Sequence, residues 1–286
     1  MEAEHTPWTK LLARPGQAAN RADVAAWWTS NLAPRLLLGA ELRIAGQLHR
    51  LAEIEFYYHA PGIHDDPFAH GDACQLTSGQ WYLHRTGSGF RGGSYKGIDL
   101  TFGDGHAHGG ILIRSLECPD GHIVEGPSLC VDHVLKCCGQ TQVAALDKAI
   151  GARPAWGDNP VALHWLDTPE DAPVVQSGRV GLTLKRVATF PKMAAMIFQP
   201  YRYLRKPRAL RKGRNYVILA LHHQGLTPGQ IAEVTGSPAR AIARQIDGYQ
   251  QGWQDGKDPS LAAFHGKALS ATLLAQMCGA WARHHA

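Results

Sequence analysis

The amino-acid sequence predicts an α+β protein, in which a mixed β body is followed by a small, all-helical, helix-turn-helix-like domain. From about residue 30 to 140, short apolar runs alternate with glycine-rich turns, a pattern typical of strands. From about residue 214 onward, apolar residues recur at helical spacing. We therefore expect an α+β domain over residues 1–205, and a basic linker with a helical domain over residues 206–286.

The strands of the body are predicted from short apolar runs bounded by glycine. In chain order these runs are LLLGAELRIAG (36–46), LAEIEFYY (51–58), WYLHR (81–85), GIDLTFG (97–103) and GGILIRSL (109–116). TQVAALDKAI (141–150) is predicted as a helix, and GRVGLTL (178–184) as a return to strand.

The strand at 51–58 carries polar residues at every second position. Because side chains alternate along a strand, Glu53, Glu55 and Tyr57 share one face, and the apolar residues between them form a core-facing side. The polar face has two interpretations that this stretch alone leaves open. It is either a solvated face, which half-buried strands normally show, or the wall of a polar site.

The C-terminal region has the pattern of two helices joined by a glycine turn. Thr227 is predicted to cap the first helix, with Gln230 as its capping-box partner, and Gly236 supplies the turn. Ser237 is predicted to cap the second helix, on which Arg240 and Arg244 face outward, as a DNA-reading helix requires. An ordinary helical hairpin is the alternative.

The net charge of +5 is concentrated in one segment. Residues 201–214, YRYLRKPRALRKGR, hold seven basic residues and no acidic one, which indicates a polyanionic partner or, alternatively, a solvated basic linker. The residues of this segment that we expect to contact DNA are Arg205, Lys206, Arg208, Arg211 and Lys212.

Segment 36–70 resembles the opening of the alkyladenine (3-methylpurine) DNA glycosylase family. That family has a leucine-rich segment, a strand of the form Glu-x-Glu-x-Tyr, and a following loop with aspartate and histidine. The residues that match are Glu53, Glu55, Tyr57, Asp66 and His70. Further segments resemble the family in its order: GQWYLHR (79–85), GIDLTFG (97–103), GGILIRSLE (109–117), GPSLC (126–130) and GRVGLT (178–183). The resemblance covers about residues 30–205.

The resemblance implies a repair enzyme that flips a damaged purine and hydrolyses its N-glycosidic bond with a carboxylate-activated water. It implies that Glu55 is the general base and that Arg114 positions the water or a phosphate, while Glu53 orients Arg114 or the backbone. The residues it implies for binding the base are Tyr57, His70, Tyr82, His84 and Asp99. His84 and Asp99 depart from the family, which has tyrosine and asparagine there, and these changes favour cationic alkylated purines over neutral lesions.

The loop at 85–97, RTGSGFRGGSYKG, is longer and more basic than the family's turn, which carries a tyrosine wedge into the duplex. Phe90 or Tyr95 could be the wedge, and Arg85, Arg91 and Lys96 could hold phosphates. A plain surface turn is the alternative. No cofactor and no metal are expected, and duplex DNA with damaged bases is the expected partner of a monomer.

Three other functions compete with this interpretation. The His106–His108 pair and the group His59, His64, Asp65 and Asp66 could bind a metal, although the pair needs a third ligand. A glycosidase acting on a nucleoside or nucleotide is the second alternative, and a non-catalytic DNA-binding protein on the same fold is the third. Measurement of bound zinc would test the first.

The cysteines and the apolar runs of the sequence indicate in which cellular compartment the protein is expected. Six cysteines are scattered, and the adjacent pair Cys137–Cys138 is unsuited to a disulfide framework, so reduced thiols are expected. We also expect neither a secretory leader nor a membrane span, because no long apolar run exists. A cytoplasmic protein is therefore expected, associated with the nucleoid or the nucleus according to its source.

Overall fold

The structure, a computed structural model, describes residues 7–285, which form an α+β protein with a large antiparallel sheet and C-terminal helices. The α-helices are α1 (Trp8–Leu12), α2 (Arg21–Trp27), α3 (Ala33–Leu38), α4 (Pro127–Cys137), α5 (Val143–Ile150), α6 (Met193–Met196), α7 (Arg214–His223), α8 (Pro228–Thr235), α9 (Ala239–Asp255) and α10 (Ala271–His285). The strands are β1 (Ala40–Ile44), β2 (Gln47–Ala60), β3 (His64–Asp65), β4 (Ser78–Leu83), β5 (Arg85–Thr86), β6 (Gly89–Phe90), β7 (Ile98–Phe102), β8 (His108–Glu117), β9 (Ile123–Glu125), β10 (Val161–Trp165), β11 (Val175–Ser177) and β12 (Arg202–Leu204).

The chain divides into two compact units. Unit 1 comprises residues 7–65 and 69–174, and unit 2 comprises residues 66–68 and 175–285. The predicted boundary at 205/206 marks the change in composition, whereas the contacts divide at 175. Residues between 184 and 198 belong to the core that contains side chains of α7, α9 and α10, so they fold with the helices that follow them.

Unit 1 is built on an antiparallel sheet with the strand order β10-β1-β2-β8-β7-β4, to which β3 adds on β2 and β9 adds on β8. The long strand β2 lies near its middle. The side chains of Ile54, Phe56 and Tyr58 are fully buried, which confirms the predicted core face. Trp28, in a π-helical turn between α2 and α3, stacks on Phe56 with ring centroids 4.9 Å apart.

The polar face of β2 is buried as well. Glu53 is 1% exposed and Glu55 is 0% exposed. A solvated face would leave these carboxylates in water, so of the two interpretations left open by the sequence, the solvated face is wrong. Burial of a carboxylate is energetically costly unless the carboxylate is paired with a positive charge. Both glutamates are paired with Arg114.

Unit 2 contains the β11–β12 pair and helices α6 to α10. Helices α9 and α10 approach closely at Gly252 and Gly279, because a side chain at Gly252 would collide with the carbonyl of Gln276, and one at Gly279 with the carbonyl of Tyr249. Phe198 and Trp281 pack edge to face in the same core, with ring centroids 5.9 Å apart. No helix among residues 7–285 is long and apolar enough to cross a membrane.

The helix-turn-helix pattern is present as α8 and α9. Thr227 and Gln230 form the predicted capping box, and Gly236 ends α8 in the left-handed conformation. The prediction for Ser237 is wrong, because the residue that caps α9 is Pro238, and the Ser237 hydroxyl instead lies 2.8 Å from that of Thr235.

Most predicted elements of the body are confirmed, but one predicted strand is not formed, and helices α1 to α4 and several strands, among them β10, were not predicted. The strand predicted at 178–184 is irregular in the structure, and the nearby strand β11 ends at residue 177. Helix α4, whose first turn is the GPSLC segment, was not predicted. Helices α1 to α3 were not predicted either, because the apolar run at 36–38 was assigned to the strand that follows it.

Candidate active site

Three side chains surround Glu53 and Glu55 on the polar face of β2. The Arg114 Nε atom lies 2.8 Å from Glu53 Oε1 and 3.4 Å from Glu55 Oε1. The Tyr57 hydroxyl donates to Glu55 Oε2 at 2.8 Å, and the Ser115 hydroxyl donates to Glu53 Oε2 at 2.5 Å. These five residues are called the carboxylate cluster. The expected contact between Glu53 and Arg114 is confirmed.

A β-bulge explains how two adjacent residues of β8 reach the same carboxylate. The register between β2 and β8 shifts on both sides of Glu53, which pairs with Ser115. A bulge turns the side chains of its strand away from strict alternation, so Arg114 and Ser115 can both contact Glu53. The register is regular again from Ile54 onward, and Glu55 pairs with Leu112.

The charge of Arg114 is fixed by its neighbours. Burial alone lowers the pKa of Arg114, but the charges of Glu55 and Glu53 outweigh it and raise that pKa. The guanidinium is therefore always positive. This positive charge lies between the carboxylate groups of Glu53 and Glu55.

The pairing of the strands places Glu55 of the carboxylate cluster in the same row of the sheet as two predicted base-binding residues. Glu55 pairs with Leu112, Leu112 with Asp99, and Asp99 with Tyr82. Residues that pair across antiparallel strands point to the same face, so this row puts Glu55, Asp99 and Tyr82 on one side of the sheet. Strands are about 4.8 Å apart, so the backbones of Glu55 and Asp99 are separated by about 10 Å.

A second group, called the histidine cluster, is formed by His70, Gln75, Tyr82, His84 and Asp99. His84 Nε2 lies 2.7 Å from Asp99 Oδ1, and Gln75 Nε2 donates to Asp99 Oδ2 at 3.2 Å. The His70 ring meets the His84 ring edge to face at a centroid distance of 4.2 Å, and the Tyr82 ring at 6.0 Å. The structure thus brings together four of the predicted base-binding residues.

Two glycines make room for the histidine cluster. A Cβ atom on Gly110 would lie 2.5 Å from Asp99 Oδ2 and 2.6 Å from Gln75 Nε2. A Cβ atom on Gly97 would collide with the His84 ring. Either side chain would force the polar groups of the cluster to move.

His70 is the most exposed member of the histidine cluster. Desolvation by the surrounding side chains, followed by the neighbouring His84, lowers the pKa of His70 to about 4, although part of the residue remains open to solvent. Its ring is therefore neutral at pH 7 and can donate or accept a hydrogen bond to a base.

Two basic residues of the loop at 85–97 form salt bridges with aspartates outside the loop. Arg85 lies 3.1 Å from Asp147 and over the Phe90 ring, and Lys96 lies 2.7 Å from Asp132. Arg91 donates to the carbonyl of Arg85 and the hydroxyl of Thr86, each at 3.1 Å. Tyr95 is 76% exposed. Of the two wedge candidates, Tyr95 is accessible and Phe90 is covered by the Arg85 guanidinium.

The basic residues of unit 2 differ in exposure. Lys206, Arg208, Arg211 and Lys212 are exposed, and so are Arg240 and Arg244 on α9, as predicted for a helix that faces outward. Arg205 is 5% exposed, so a phosphate contact by this residue would require rearrangement. The exposed positive charge of the segment is therefore smaller than its composition indicates.

Two groups in the described part of the chain hold three or more side chains whose metal-ligating atoms converge. One is His70, His84 and Asp99, and the other is His49, Cys118 and His133. In the first, His84 Nε2 donates to Asp99 Oδ1 at 2.7 Å. The histidines and aspartates that the sequence raised as ligands (His59, His64, Asp65, Asp66, His106 and His108) belong to neither group.

Five residues of these groups were missed from the sequence, namely His49, Gln75, Ser115, Cys118 and His133. Gln75 comes from a short 3-10 helix, Ala73–Leu76, whose only sequence signal is the capping pair of Asp72 and Gln75. Ser115 follows Arg114 and would point to the opposite face without the bulge. His49 has no signal, since it lies at the outer end of a strand, far in sequence from the other ligands.

No family model matches the chain. An uncharacterized protein of Acanthamoeba polyphaga mimivirus is 28% identical over 209 residues, which cover 67% of this chain and 92% of the viral protein.

Proposed function

We propose that the protein is a DNA N-glycosylase that hydrolyses the N-glycosidic bond of an alkylated purine. The observation that carries the proposal is the position of Glu55, which is fully buried, lies beside the Arg114 guanidinium and shares a face of the sheet with the histidine cluster. A carboxylate next to a polar, ring-lined group is what base activation and base binding require together.

The reaction follows from this arrangement. Glu55 accepts a proton from a water molecule while the water oxygen forms a bond to C1′ of the sugar. The bond between C1′ and the base nitrogen breaks, and its electron pair leaves with the base. Tyr57 is the most exposed member of the carboxylate cluster and is hydrogen-bonded to Glu55, so the water reaches Glu55 when Tyr57 moves aside.

The histidine cluster favours a cationic base. Asp99 accepts hydrogen bonds from His84 and Gln75, and its oxygens keep further lone pairs for a base amino group. Its negative charge stabilises a cationic alkylated purine, which needs no further protonation to leave. We therefore expect faster release of N7-methylguanine than of hypoxanthine.

The test is base release from duplex oligonucleotides that carry a single lesion, under single turnover, with the released base identified by mass spectrometry. Glu55→Gln keeps the hydrogen bonds and removes the charge, so release should fall by at least ~10²-fold with DNA binding retained. Glu41→Gln, a carboxylate on β1 that pairs with Arg43, is the control and should leave the rate unchanged. Loss of activity in Glu53→Gln but not in Glu55→Gln would show that the other carboxylate is the base.

A second candidate is a glycosidase that acts on free nucleosides or nucleotides. The pairing of Arg85 with Asp147 and of Lys96 with Asp132 favours it, because these two charges are then less available for phosphates. Incubation with N7-methylguanosine separates the two functions. Release from the nucleoside at a rate equal to release from duplex DNA would establish the second.

A further inference from the structure

Two histidines and one cysteine converge at the outer end of β2, away from the groups assigned to catalysis, and a second cysteine, Cys137, contacts one of the histidines. His133 Nε2 lies 2.8 Å from His49 Nε2, 3.4 Å from Cys137 Sγ and 3.7 Å from Cys118 Sγ. His49 is 1% exposed, while the other three are half-buried. All four belong to unit 1.

Two features of the fold bring these residues together, namely the residue spacing on helix α4 and the pairing of β2 with β8. His133 and Cys137 are four residues apart on α4 and therefore share one face of the helix. The register of β2 and β8 pairs Arg50 with Glu117, and its extension by one residue places His49 opposite Cys118. The chain turns tightly after Cys118, whose N–H donates to the carbonyl of His122 at 2.8 Å.

The distances fit a tetrahedral metal ion. Zinc binds cysteine sulfur at about 2.3 Å and histidine nitrogen at about 2.0–2.1 Å, so ligands around one zinc ion are about 3.3–3.8 Å apart. The two sulfur–nitrogen distances at His133 lie in this range. The two imidazole nitrogens are closer, and a bound ion would move them apart by about 0.5 Å.

The surroundings of His49 favour a metal ligand. His49 Nδ1 lies 2.9 Å from the carbonyl of Gln47, to which it donates its proton. This hydrogen bond leaves the Nε2 lone pair directed at the other three side chains. A backbone carbonyl that fixes the tautomer in this way is the usual outer partner of a metal-bound histidine.

We propose that His49, Cys118 and His133 bind one zinc ion, and that the Cys137 side chain, which already contacts His133, turns toward the ion to become its fourth ligand. Two thiolates and two neutral imidazoles form a closed tetrahedral donor set, which is typical of structural zinc, and the two thiolates balance the charge of the ion. The ion would fix α4 and the turn after Cys118 to the end of β2. It leaves no position for a water molecule and takes no part in base release.

The adjacent cysteines supply a matched pair of variants. Cys138 Sγ lies 3.9 Å from the carbonyl of Pro160 and takes no part in the group, so Cys138→Ser is the control for Cys137→Ser. The full chain, produced without a histidine tag, is loaded with Zn²⁺, dialysed and analysed by inductively coupled plasma mass spectrometry. We expect about one zinc per chain in the wild type and in Cys138→Ser, and at least a tenfold lower content in Cys137→Ser.

Loading with Co²⁺ gives a readout that does not depend on the folding of a variant. The wild type should show the intense visible absorption of a tetrahedral ion and a thiolate charge-transfer band, and Cys138→Ser should show the same. Wild-type protein that retains less than a tenth of an ion after loading would overturn the proposal and would mean that the four side chains only hydrogen-bond to one another. Equal zinc content in Cys118→Ser, Cys137→Ser and the wild type would also overturn it.

Discussion

Asp99 shows how much a single side chain in this protein depends on its neighbours. One of its carboxylate oxygens lies 2.7 Å from His84 Nε2, the other accepts from Gln75 Nε2, and the backbone of Gly110 leaves the space that both groups occupy. The geometry of the histidine cluster therefore depends on the absence of a side chain at Gly110.

Gly110→Ala tests this dependence. The new methyl group would displace Asp99 and Gln75, so base release from a cationic lesion should fall by roughly 10²-fold, the cost of moving a positioned group by about 1 Å. The free energy of unfolding should fall by about 1–3 kcal/mol, as for other overpacked sites. Single-turnover kinetics and urea unfolding measure the two effects.

Gly92→Ala is the matched control for this substitution. A Cβ atom at Gly92 meets no heavy atom within 4 Å, and the residue has an extended backbone. It should change the free energy of unfolding by less than about 0.5 kcal/mol. A Gly110→Ala protein with the wild-type rate would show that Asp99 does not contribute to the reaction.

At this scale, the sequence predicts residues that follow a period and misses those that do not. The shared face of Glu53 and Glu55 was recognised because they alternate along one strand, whereas their roles and the link to Arg114 were implied by the resemblance to the glycosylase family. The pairing of β2 with β8 brings Arg114 to both carboxylates. Gln75 lies in a 3-10 turn whose position depends on the finished sheet. His49 and Cys118 meet only through the register of two strands, which the sequence alone does not define.

Helix α9, which we propose contacts DNA, is buried on one face and carries two exposed arginines. Its buried residues include Ile242, which packs in the interior of unit 2, and Arg240 and Arg244 are exposed. The capping box at Thr227 and the left-handed Gly236 fix where α8 ends and α9 starts. An exposed pair of arginines on a well-anchored helix is what phosphate or base contacts need.

The double variant Arg240→Ala/Arg244→Ala should weaken binding to duplex DNA and reduce the slope of log K against log salt concentration. Each phosphate contact that is lost changes the slope by about 0.9, so two contacts change it by nearly 2. Fluorescence anisotropy at several salt concentrations measures the slope. Lys257→Ala/Lys267→Ala, which removes two exposed positive charges elsewhere in unit 2, is the control. Equal slopes in the two double variants would show that α9 does not contact DNA.

The elements differ in how far the sequence predicts them. Helix α8 was predicted from its cap, since Thr227, Pro228 and Gln230 act locally. Helix α4 was missed because its first turn, Gly-Pro-Ser, has the composition of a loop. The segment 178–184 has the apolar residues of a strand but forms none, because part of it contributes Leu184 to the core of unit 2 instead.

At the scale of the whole chain, unit 2 cannot be truncated at the change in composition. Residues Met193, Ile197 and Phe198 belong to the same core as Leu219 and Trp281. Burial of each large apolar side chain contributes about 1.5–3 kcal/mol. A chain that ends at residue 205 therefore keeps one half of this core without the other.

We expect a chain of residues 1–205 to aggregate, because its apolar residues between 184 and 198 would lack the helices that cover them. A chain of residues 1–174 should remain more soluble, because it does not contain these apolar residues. Size-exclusion chromatography and binding of a dye for apolar surface, with the full chain as reference, measure the difference. A monomeric 1–205 chain that unfolds cooperatively would contradict the division of the contacts at residue 175.

The salt bridge between Asp66 and Arg179 has a consequence for synthesis on the ribosome. Both side chains are fully buried, and Arg179 Nη2 donates to Asp66 Oδ1 at 3.1 Å across 113 residues of sequence. At translation rates of about 5–20 residues per second, Arg179 is synthesised roughly 6–23 s after Asp66. During that interval a carboxylate destined for the interior stays in water, so the segment 66–68 joins unit 2 only after unit 1 has left the exit tunnel.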